Sequence, residues 1–524
     1  MLLSLRMIAR LLGILRVLAR NDAAAAFEAL GLRGLPLWLL ERMGRRRRRM
    51  HADKRPGERL AAALTELGPS FIKLGQSLAT RADLLGEEIA ADLSALQDRV
   101  PLFPFSQVRE ILETELGDSL ENLFVSLEEE PISAASIAQV HFGVVAVPAP
   151  PELGGPPSER QVAIKVLRPG VERAFERDLQ LFFWLARLGE RTQPRLRRLK
   201  PIEVVQLFAD QVALEMDLRY EAAGLAEMAE NFRDDDSYQV PDVDWPRTAK
   251  RVLVMSRVSG IRIDDRAGLL AAGLDLEEVL RTAATVFFKQ VFRDGLFHGD
   301  QHPGNMMIDT DGRVVAVDFG ILGRLDEETR LLLADMMIAT LQRDYRRLAE
   351  IQVQAGYLPS DRSLEVFAQA LRSVCEPIID RPLQEISFAK LLAQLFQVTE
   401  SFAMPVQPQL LLLQKNMMMA EGVSRRLAPD LNIWTLAQPL IEDWILRHRG
   451  PSARVRDATR MVNRILARGP AVLDTLDGLA NDLRTEGVTL SPATLRRLER
   501  RAPSRVAEIA LVLALVALLV TLFN

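Results

Sequence analysis

Cysteine and lysine are both rare in this chain. Cys375 is the only cysteine among 524 residues, so no intrachain disulfide can form, and the body of the protein is expected in a reducing compartment. We therefore interpret Cys375 as a buried structural thiol. Lysine occurs 8 times, and arginine outnumbers it about seven to one. Each lysine is of interest, because the chain generally uses arginine wherever it needs positive charge.

Targeting and redox signatures are also missing from the sequence. The apolar segment 1–20 is interrupted by four arginines and has no small-residue cleavage site, which excludes a secretory signal and predicts an amphipathic surface helix. The chain contains no Rossmann glycine fingerprint, no haem-ligand pattern and no non-haem iron triad. The sequence therefore excludes a redox enzyme that carries its own cofactor.

The composition that remains is that of a globular protein, with 48% apolar and 26% charged residues. Helical periodicity extends over 55–96, 106–123, 171–188, 202–232, 275–294 and 326–355. Strand-like runs appear at 137–147 and 161–167, and a Pro- and Gly-rich segment between them at 148–159 predicts an exposed loop. Further runs lie at 251–256, 306–308 and 314–317, and Asp309-Thr310-Asp311-Gly312 predicts a short hairpin between the last two. This order predicts an α+β, predominantly helical protein with a two-lobed, protein-kinase-like fold.

Two motifs in the second half of the chain carry the strongest chemical signal. The first is His298-Gly299-Asp300-Gln301-His302-Pro303-Gly304-Asn305, and the second is Val317-Asp318-Phe319-Gly320 after a strand. In protein kinases an Asn of the catalytic loop and an Asp after the next strand hold the metal ions. We therefore predict Asn305 and Asp318 as metal ligands and Asp300 as the catalytic base or water-orienting group.

A lysine and an acidic cluster upstream complete this pattern. Lys165 ends the apolar run Val162-Ala163-Ile164 and is expected to reach the phosphates of a nucleotide. Its acidic partner is expected among Glu215, Asp217 and Glu221, which on one continuous helix would not all face the same way. One of them would face Lys165 and another the metal.

The usual glycine-rich phosphate loop is absent from its expected place. The segment 133–136 reads Ser133-Ala134-Ala135-Ser136 instead, and alanine restricts the positive-φ geometry that glycine permits. Ala134, Ala135 and Ser136 are thus the expected phosphate-loop contacts, in a stiffer loop that holds phosphates differently.

Together these residues resemble the UbiB family of atypical kinases, which is linked to ubiquinone biosynthesis. The resemblance covers roughly 60–424 and includes the alanine-rich loop, the Glu-x-Asp pattern of Glu215 and Asp217, and a KxGQ signature at Lys73, Gly75 and Gln76. It implies an extension that folds over the active site, where Lys73 is catalytic and Gln76 lies by the phosphates. It also implies that Glu215 and Asp217 act on nucleotide or metal, that Glu221 pairs with Lys165, and that ATP and Mg²⁺ are the cofactors. Met255-Ser256 departs from the expected Met-Glu hinge.

The residue patterns and this resemblance together divide the chain into regions that we use as expectations. They are an amphipathic and basic region at 1–55, the KxGQ helical extension at 56–130, a kinase-like N-lobe with inserted helices at 131–262, a kinase-like C-lobe at 263–440, a C-terminal helical region at 441–503 and a candidate transmembrane helix at 504–524.

The C-terminal segment predicts a membrane location. Residues 506–523 carry one charge, Glu508, and as a helix would span roughly 27 Å against a hydrocarbon core of about 30 Å. The basic residues on its N-terminal side place the body in the cytoplasm of a bacterium, with a single-helix anchor in the inner membrane. Arg45–Arg49 lack interleaved aromatics, so they favour lipid headgroups over nucleic acid.

The sequence thus predicts a membrane-associated ATPase or kinase. Its expected partners are membrane lipids and prenylated quinone precursors or the enzymes that act on them, with a homodimer possible. Two alternatives stay open. One is a nucleotide-gated lipid-binding scaffold without phosphotransfer, and the other is a small-molecule phosphotransferase, which the KxGQ extension argues against.

Overall fold

The structure is a computed structural model of the whole chain. It describes residues 5–23, 54–79, 87–94, 96, 102–134, 137–147, 158–192, 201–359, 361–379, 398, 402, 404, 408–428 and 444. The chain divides into compact units at Met1–Trp444 and Ile445–Asn524, and every described residue lies in the first unit.

The N-terminal extension is helical, with α1 (Leu5–Arg20), α2 (Pro56–Leu67), α3 (Pro69–Ala79) and α4 (Glu87–Ser94). Gly68, at φ +104°, separates α2 from α3, so the run predicted at 55–96 is not one helix. Gly75 lies where a Cβ atom would collide with Leu64 and Leu96. The glycine of the KxGQ signature therefore permits close packing here, since a larger residue would have to displace the ends of the Leu64 and Leu96 side chains.

Helix α1 packs one apolar side on this extension, while its residues Ile8 and Leu12 remain exposed. Its apolar residues Ile14 and Leu18 are buried, and they belong to the same core as the extension. Arg10 forms a two-contact ion pair with buried Asp178, with Nε–Oδ1 and Nη2–Oδ2 distances of 2.9 Å each. The segment 1–20 is thus largely helical as predicted, but much of its apolar face packs inside the protein.

Helices α5 (Phe105–Leu116) and α6 (Leu120–Leu123) lead into an antiparallel sheet. Left-handed Gly117, at φ +75°, ends α5 and breaks the helix predicted at 106–123. The sheet contains β1 (Ser126–Leu127), β2 (Ser133–Ala134), β3 (Ala138–Val147), β4 (Ser158–Leu167) and β6 (Val252–Ser256), in the order β1-β3-β4-β6 with β2 on β3. The strand that ends near Lys165 is therefore central.

Three inserted helices separate β4 from the rest of the N-lobe: α7 (Val171–Thr192), α8 (Pro201–Glu215) and α9 (Leu218–Asn231). The run predicted at 202–232 breaks where Asp217 caps α9 by accepting a hydrogen bond from the Arg219 amide. Phe71 of α3 packs edge-on against Phe182 of α7, with ring centroids 5.1 Å apart. The extension and the inserted helices thus share one core.

The C-lobe begins after the short strands β5 (Tyr238–Gln239) and β7 (Ile261–Arg262). It continues with α10 (Arg266–Ala271), α11 (Leu276–Phe288), β8 (Leu296–His298), β9 (Met306–Ile308), β10 (Val314–Ala316) and β11 (Leu322–Arg324). Strands β9 and β10 form the predicted hairpin, whose turn has Gly312 at φ +83°. Strands β8 and β11, which the sequence patterns did not reveal, pair with each other and bring the two catalytic motifs side by side.

Later helices complete the described part of the chain: α12 (Glu327–Leu341), α13 (Tyr345–Gln354), α14 (Leu364–Ile379) and α15 (Pro408–Leu427). The run predicted at 326–355 breaks at Arg343, at φ +58°, and Asp344 caps α13. Val423 and Leu427 of α15 are buried in the core that contains Phe319. This packing sets α15 against the catalytic loop.

Within the described ranges no helix has the length and hydropathy needed to cross a bilayer. The predicted anchor at 504–524, the region 441–503, the arginine run at 45–49 and most of the loop predicted at 148–159 lie outside those ranges.

The single cysteine provides a test of the C-lobe core. Cys375 of α14 is 6% exposed, and burial raises its pKa to about 11. At pH 8 roughly one thiol in a thousand is ionised, so native protein should react far more slowly with a thiol reagent than protein in urea does. Fast labelling of native protein would contradict this packing.

The packing role of Gly75 predicts the effect of a single methyl group. Gly75→Ala should lower the free energy of unfolding by about 1 to 3 kcal/mol, because the new Cβ meets Leu64 and Leu96. Gly422→Ala is the matched control, since no atom lies within 4 Å of a Cβ there, and it should be neutral or stabilising. Urea unfolding measures both, and equal stability of the two variants would refute the argument.

Candidate active site

Lys165 lies at the centre of a group of charges contributed by different parts of the chain. Its Nζ donates to Glu221 Oε1 at 2.7 Å and Oε2 at 3.0 Å, and to Asp318 Oδ1 at 2.8 Å. Strand β4 carries the lysine, α9 carries Glu221, and Asp318 follows β10. The expected Lys165–Glu221 contact is therefore present, and the same ammonium reaches the second catalytic motif.

Burial makes these charges mutually dependent. Desolvation by itself would lower the pKa of Lys165, but Asp318 and Glu221 together outweigh it and raise that pKa above its ordinary value. Burial raises the pKa of Glu221, and Lys165 offsets this in part. The Lys165 ammonium holds the pKa of Asp318 well below its usual range. A charged lysine is thus maintained between two carboxylates.

The catalytic loop around Asp300 is fixed by backbone contacts. The Asp300 amide donates to His298 Nδ1 at 3.1 Å, so this nitrogen is unprotonated and Nε2 carries the proton toward the Val317 carbonyl at 3.3 Å. Burial lowers the pKa of His298, which keeps the ring neutral. His302 Nδ1 accepts from the Gly304 amide at 3.0 Å. Both histidines thus orient the loop through contacts with its own backbone.

Asn305 and Asp318 supply oxygen atoms of the kind that Mg²⁺ prefers. Asn305 Nδ2 donates to the Asp300 carbonyl at 3.2 Å, which turns the amide so that Oδ1 stays available. Asp318 has φ +62°, a left-handed conformation that is uncommon for a residue with a side chain and is often found at functional sites. Phe319, next to it, is buried against His298 with ring centroids 5.2 Å apart.

The KxGQ extension brings a second lysine, Lys73, close to the acidic residues of the site. Lys73 Nζ lies 2.8 Å from Glu215 Oε2, and the two side chains are 14% and 6% exposed. The positive charge of Lys73 also helps to lower the pKa of Asp318, so the lysine lies near the predicted metal ligand. Gln76, one turn further along α3, is half-buried.

Asp217 caps α9 and pairs with a neighbouring arginine. Its contacts with Arg219 join Oδ1 to Nε at 2.9 Å and Oδ2 to Nη2 at 2.6 Å, and Arg219 lowers its pKa. No recorded contact of Asp217 within the described ranges goes to Asn305 or Asp318. Because α8 ends at Glu215 and Asp217 caps α9, the helix break rather than helix rotation separates Glu215, Asp217 and Glu221.

The phosphate loop is described only in part. Ala134 ends β2, where it pairs with Gln139 of β3, while Ala135 and Ser136 lie outside the described residues. At the hinge, Met255 pairs with Ala163, and the Ser256 amide donates to the Asp242 carbonyl at 2.8 Å. The Met255-Ser256 segment therefore ends β6 beside the strand that carries Lys165.

Sequence reasoning missed two residues of α15. Lys415 Nζ lies 2.7 Å from Asp300 Oδ1. Asn416 is fully buried, donates to the His298 carbonyl at 2.5 Å and accepts from the Gln301 amide at 3.2 Å. The scarcity of lysine was the available signal for Lys415, but no local pattern connects α15 to a loop more than 100 residues earlier.

The donor set fits a metal bound together with phosphate rather than one held by protein alone. Among the described residues no group of three or more His, Cys, Asp or Glu side chains could hold a metal ion. Kinase sites use one Asn and one Asp with phosphate oxygens, which Asn305 and Asp318 match. A separate cleft of about 480 Å³ beside α9 is lined by Asp235, Asp242 and Trp245 among others and by none of the predicted site residues.

Comparison with known proteins gives consistent matches. Residues 95–352 match the ABC1 atypical kinase-like domain, and residues 371–432 match the UbiB helical domain. A protein of Marinobacter nauticus named "Probable protein kinase UbiB" is 40% identical over 437 residues, which cover 83% of this chain and 78% of that protein. A protein with the same name from Xanthomonas axonopodis pv. citri is 42% identical over 420 residues, covering 79% and 74%.

Among solved structures, the complex of Rv3197 from Mycobacterium tuberculosis with erythromycin matches at 24% identity. Its TM-score is 0.44, over 74% of this chain and 99% of that chain. This similarity bears on neither the site nor the activity.

Removing Lys165 should reveal how much free energy its buried partner Glu221 costs when it is left without a counter-charge. Lys165→Met is expected to lower the free energy of unfolding at pH 8 by about 3 to 5 kcal/mol, because Glu221 loses its ammonium. A carboxyl whose pKa is raised in the folded state contributes stability at low pH that is lost as pH rises. The loss of unfolding free energy relative to wild type should therefore be smaller at pH 5 than at pH 8. Urea unfolding of both proteins at the two pH values would measure it.

The matched control for this change is an exposed ion pair between a lysine and a glutamate. Lys250 lies 2.7 Å from Glu172, and their side chains are 50% and 36% exposed. Lys250→Met should change stability by less than about 1 kcal/mol at either pH. A Lys165→Met variant that behaves like Lys250→Met would show that the buried charge group is not as described.

Proposed function

The chain belongs to the UbiB family of atypical kinase-like proteins, and from this premise we propose that it is an ATPase or kinase that uses ATP with a divalent cation. The observation that carries this proposal is the placement of Lys165 Nζ between Glu221 and Asp318. A buried ammonium beside a predicted metal-binding carboxylate is suited to phosphate oxygens and a cation together.

Each side chain has a role in this proposal. Lys165 binds the α- and β-phosphates, and Glu221 orients it. The Asn305 amide oxygen and the Asp318 carboxylate would hold the cation, and Asp300 would orient the attacking hydroxyl or water and accept its proton. When bound, ATP with its cation would supply the terminal phosphoryl group, with ADP as the leaving group.

The extension makes this a covered site. Lys73 and Glu215 lie close to the predicted metal ligand and connect α3 to the end of α8. A protein substrate would have to displace this contact, whereas water or a small acceptor would not. We therefore favour ATP turnover that drives the handling of small hydrophobic molecules over phosphorylation of large protein substrates.

The physiological setting of the proposal follows from the family and from the sequence. We propose a role in ubiquinone biosynthesis, with prenylated quinone precursors or the enzymes acting on them as partners. The location would be the inner face of a bacterial inner membrane, with lipids in contact and residues 504–524 as the anchor. A homodimer is compatible with this proposal.

ATP turnover by purified protein tests the proposal directly. Wild-type protein with Mg²⁺ should release phosphate, and more so with anionic vesicles that contain a phenolic quinone precursor. Asp318→Asn should lower the turnover number by at least about 100-fold. The reason is that a bound cation stabilises the charge of the transition state by several kcal/mol, and Asp318 is a predicted ligand of that cation.

A matched control uses the same chemical change at the hairpin turn. Asp311 is exposed and pairs only with Arg313 among its described contacts, so Asp311→Asn should turn over ATP like wild type. Nucleotide binding without turnover in any condition would favour the scaffold alternative, and phosphate transfer to a small amino alcohol would favour the small-molecule phosphotransferase.

A further inference from the structure

We infer that Lys415, on helix α15 of the helical domain, is a positioning residue of the nucleotide site that acts through Asp300. This inference rests on the proposed function and extends it to a residue outside the kinase-like domain. The kinase-like match ends at residue 352, whereas Lys415 lies within the match to the helical domain at 371–432.

The geometry supplies the first argument. Lys415 Nζ contacts only one oxygen of Asp300, Oδ1 at 2.7 Å. Within the described residues no hydrogen bond to Oδ2 is recorded, and the Asp300 side chain is 33% exposed. One carboxylate oxygen is therefore oriented while the other stays accessible to a hydroxyl or a water.

The support for this contact supplies the second argument. Asn416, next to Lys415, is fully buried and bonds the backbone on both sides of Asp300, at the His298 carbonyl and the Gln301 amide. The helix is thus attached to the catalytic loop independently of Lys415. Because the attachment does not need the Lys415–Asp300 pair, the charge of Lys415 is available for the chemistry.

The choice of lysine supplies the third argument. The chain has 8 lysines, and Lys73, Lys165 and Lys415 all contact carboxylates of this site. The other basic residues of α15 are Arg425 and Arg426. A guanidinium favours both oxygens of a carboxylate at once, whereas an ammonium can engage a single oxygen. A residue that must leave Oδ2 accessible should be lysine.

The consequence is an effect on turnover rather than on binding. Lys415 orients Asp300 and places a positive charge beside the group that faces the acceptor, where negative charge develops during phosphoryl transfer. The pair is partly exposed, with side chains 27% and 33% accessible. Its contribution to stability is small for that reason, and variants should fold.

The experiment compares steady-state ATP hydrolysis by the full chain and its variants with Mg²⁺. Lys415→Met should lower kcat by at least about tenfold, a size typical when a partner that orients a site group is removed. KM for ATP and the urea midpoint should stay close to wild type. Lys415→Arg keeps the charge but engages both oxygens, and should also have a lower kcat than wild type.

Arg425→Met is the matched control, since it removes an exposed positive charge, the partner of the largely buried Glu421, from the same helix. It should leave kcat unchanged.

Wild-type kcat in Lys415→Met or in Lys415→Arg would overturn the inference while the proposed function stands. A loss confined to KM, or a loss matched by Arg425→Met, would overturn it as well. A wild-type protein that neither binds nor hydrolyses ATP would refute the proposed function, and the inference would fall with it.

Discussion

The contact between Lys165 and the two carboxylates of Glu221 and Asp318 is the constraint on which the rest of the site depends. A buried ammonium is stable only beside negative charge, and a buried carboxylate only beside positive charge. This requirement fixes β4, α9 and the segment after β10 relative to one another. A phosphate group would need the ammonium, and a divalent cation would need a carboxylate. The residues that stabilise the fold here are therefore also those that the proposed chemistry requires.

Two helices from outside the usual kinase lobes place lysines beside other carboxylates of the site. Helix α3 places Lys73 beside Glu215, close enough to influence Asp318, and α15 places Lys415 beside Asp300. The site thus receives one lysine from the extension and another from the helical domain, while Asp300 and Asp318 stay partly exposed.

Much of the fold could be predicted because its signals are local. Helical periodicity located most of the helices, and the hairpin of β9 and β10 followed from its turn residues. Helix breaks were missed at Gly68, Gly117, Asp217 and Arg343, since apolar periodicity continues across them while backbone conformation and caps end the helix. The pairing of β8 with β11 was missed because each strand is three residues long.

The sequence by itself determined the identity of the chemical groups, since the spacing of Asp300, Asn305 and Asp318 and the run before Lys165 are local patterns with a specific chemical meaning. Apart from the Lys165–Glu221 pair, which the family resemblance implied, it could not determine which acidic residue meets which cation. Tertiary structure assigned Glu221 to Lys165, Glu215 to Lys73, Arg219 to Asp217 and Lys415 to Asp300. Most of these pairs join residues far apart in the chain, and only the packing of helices around the core brings such residues within hydrogen-bond distance.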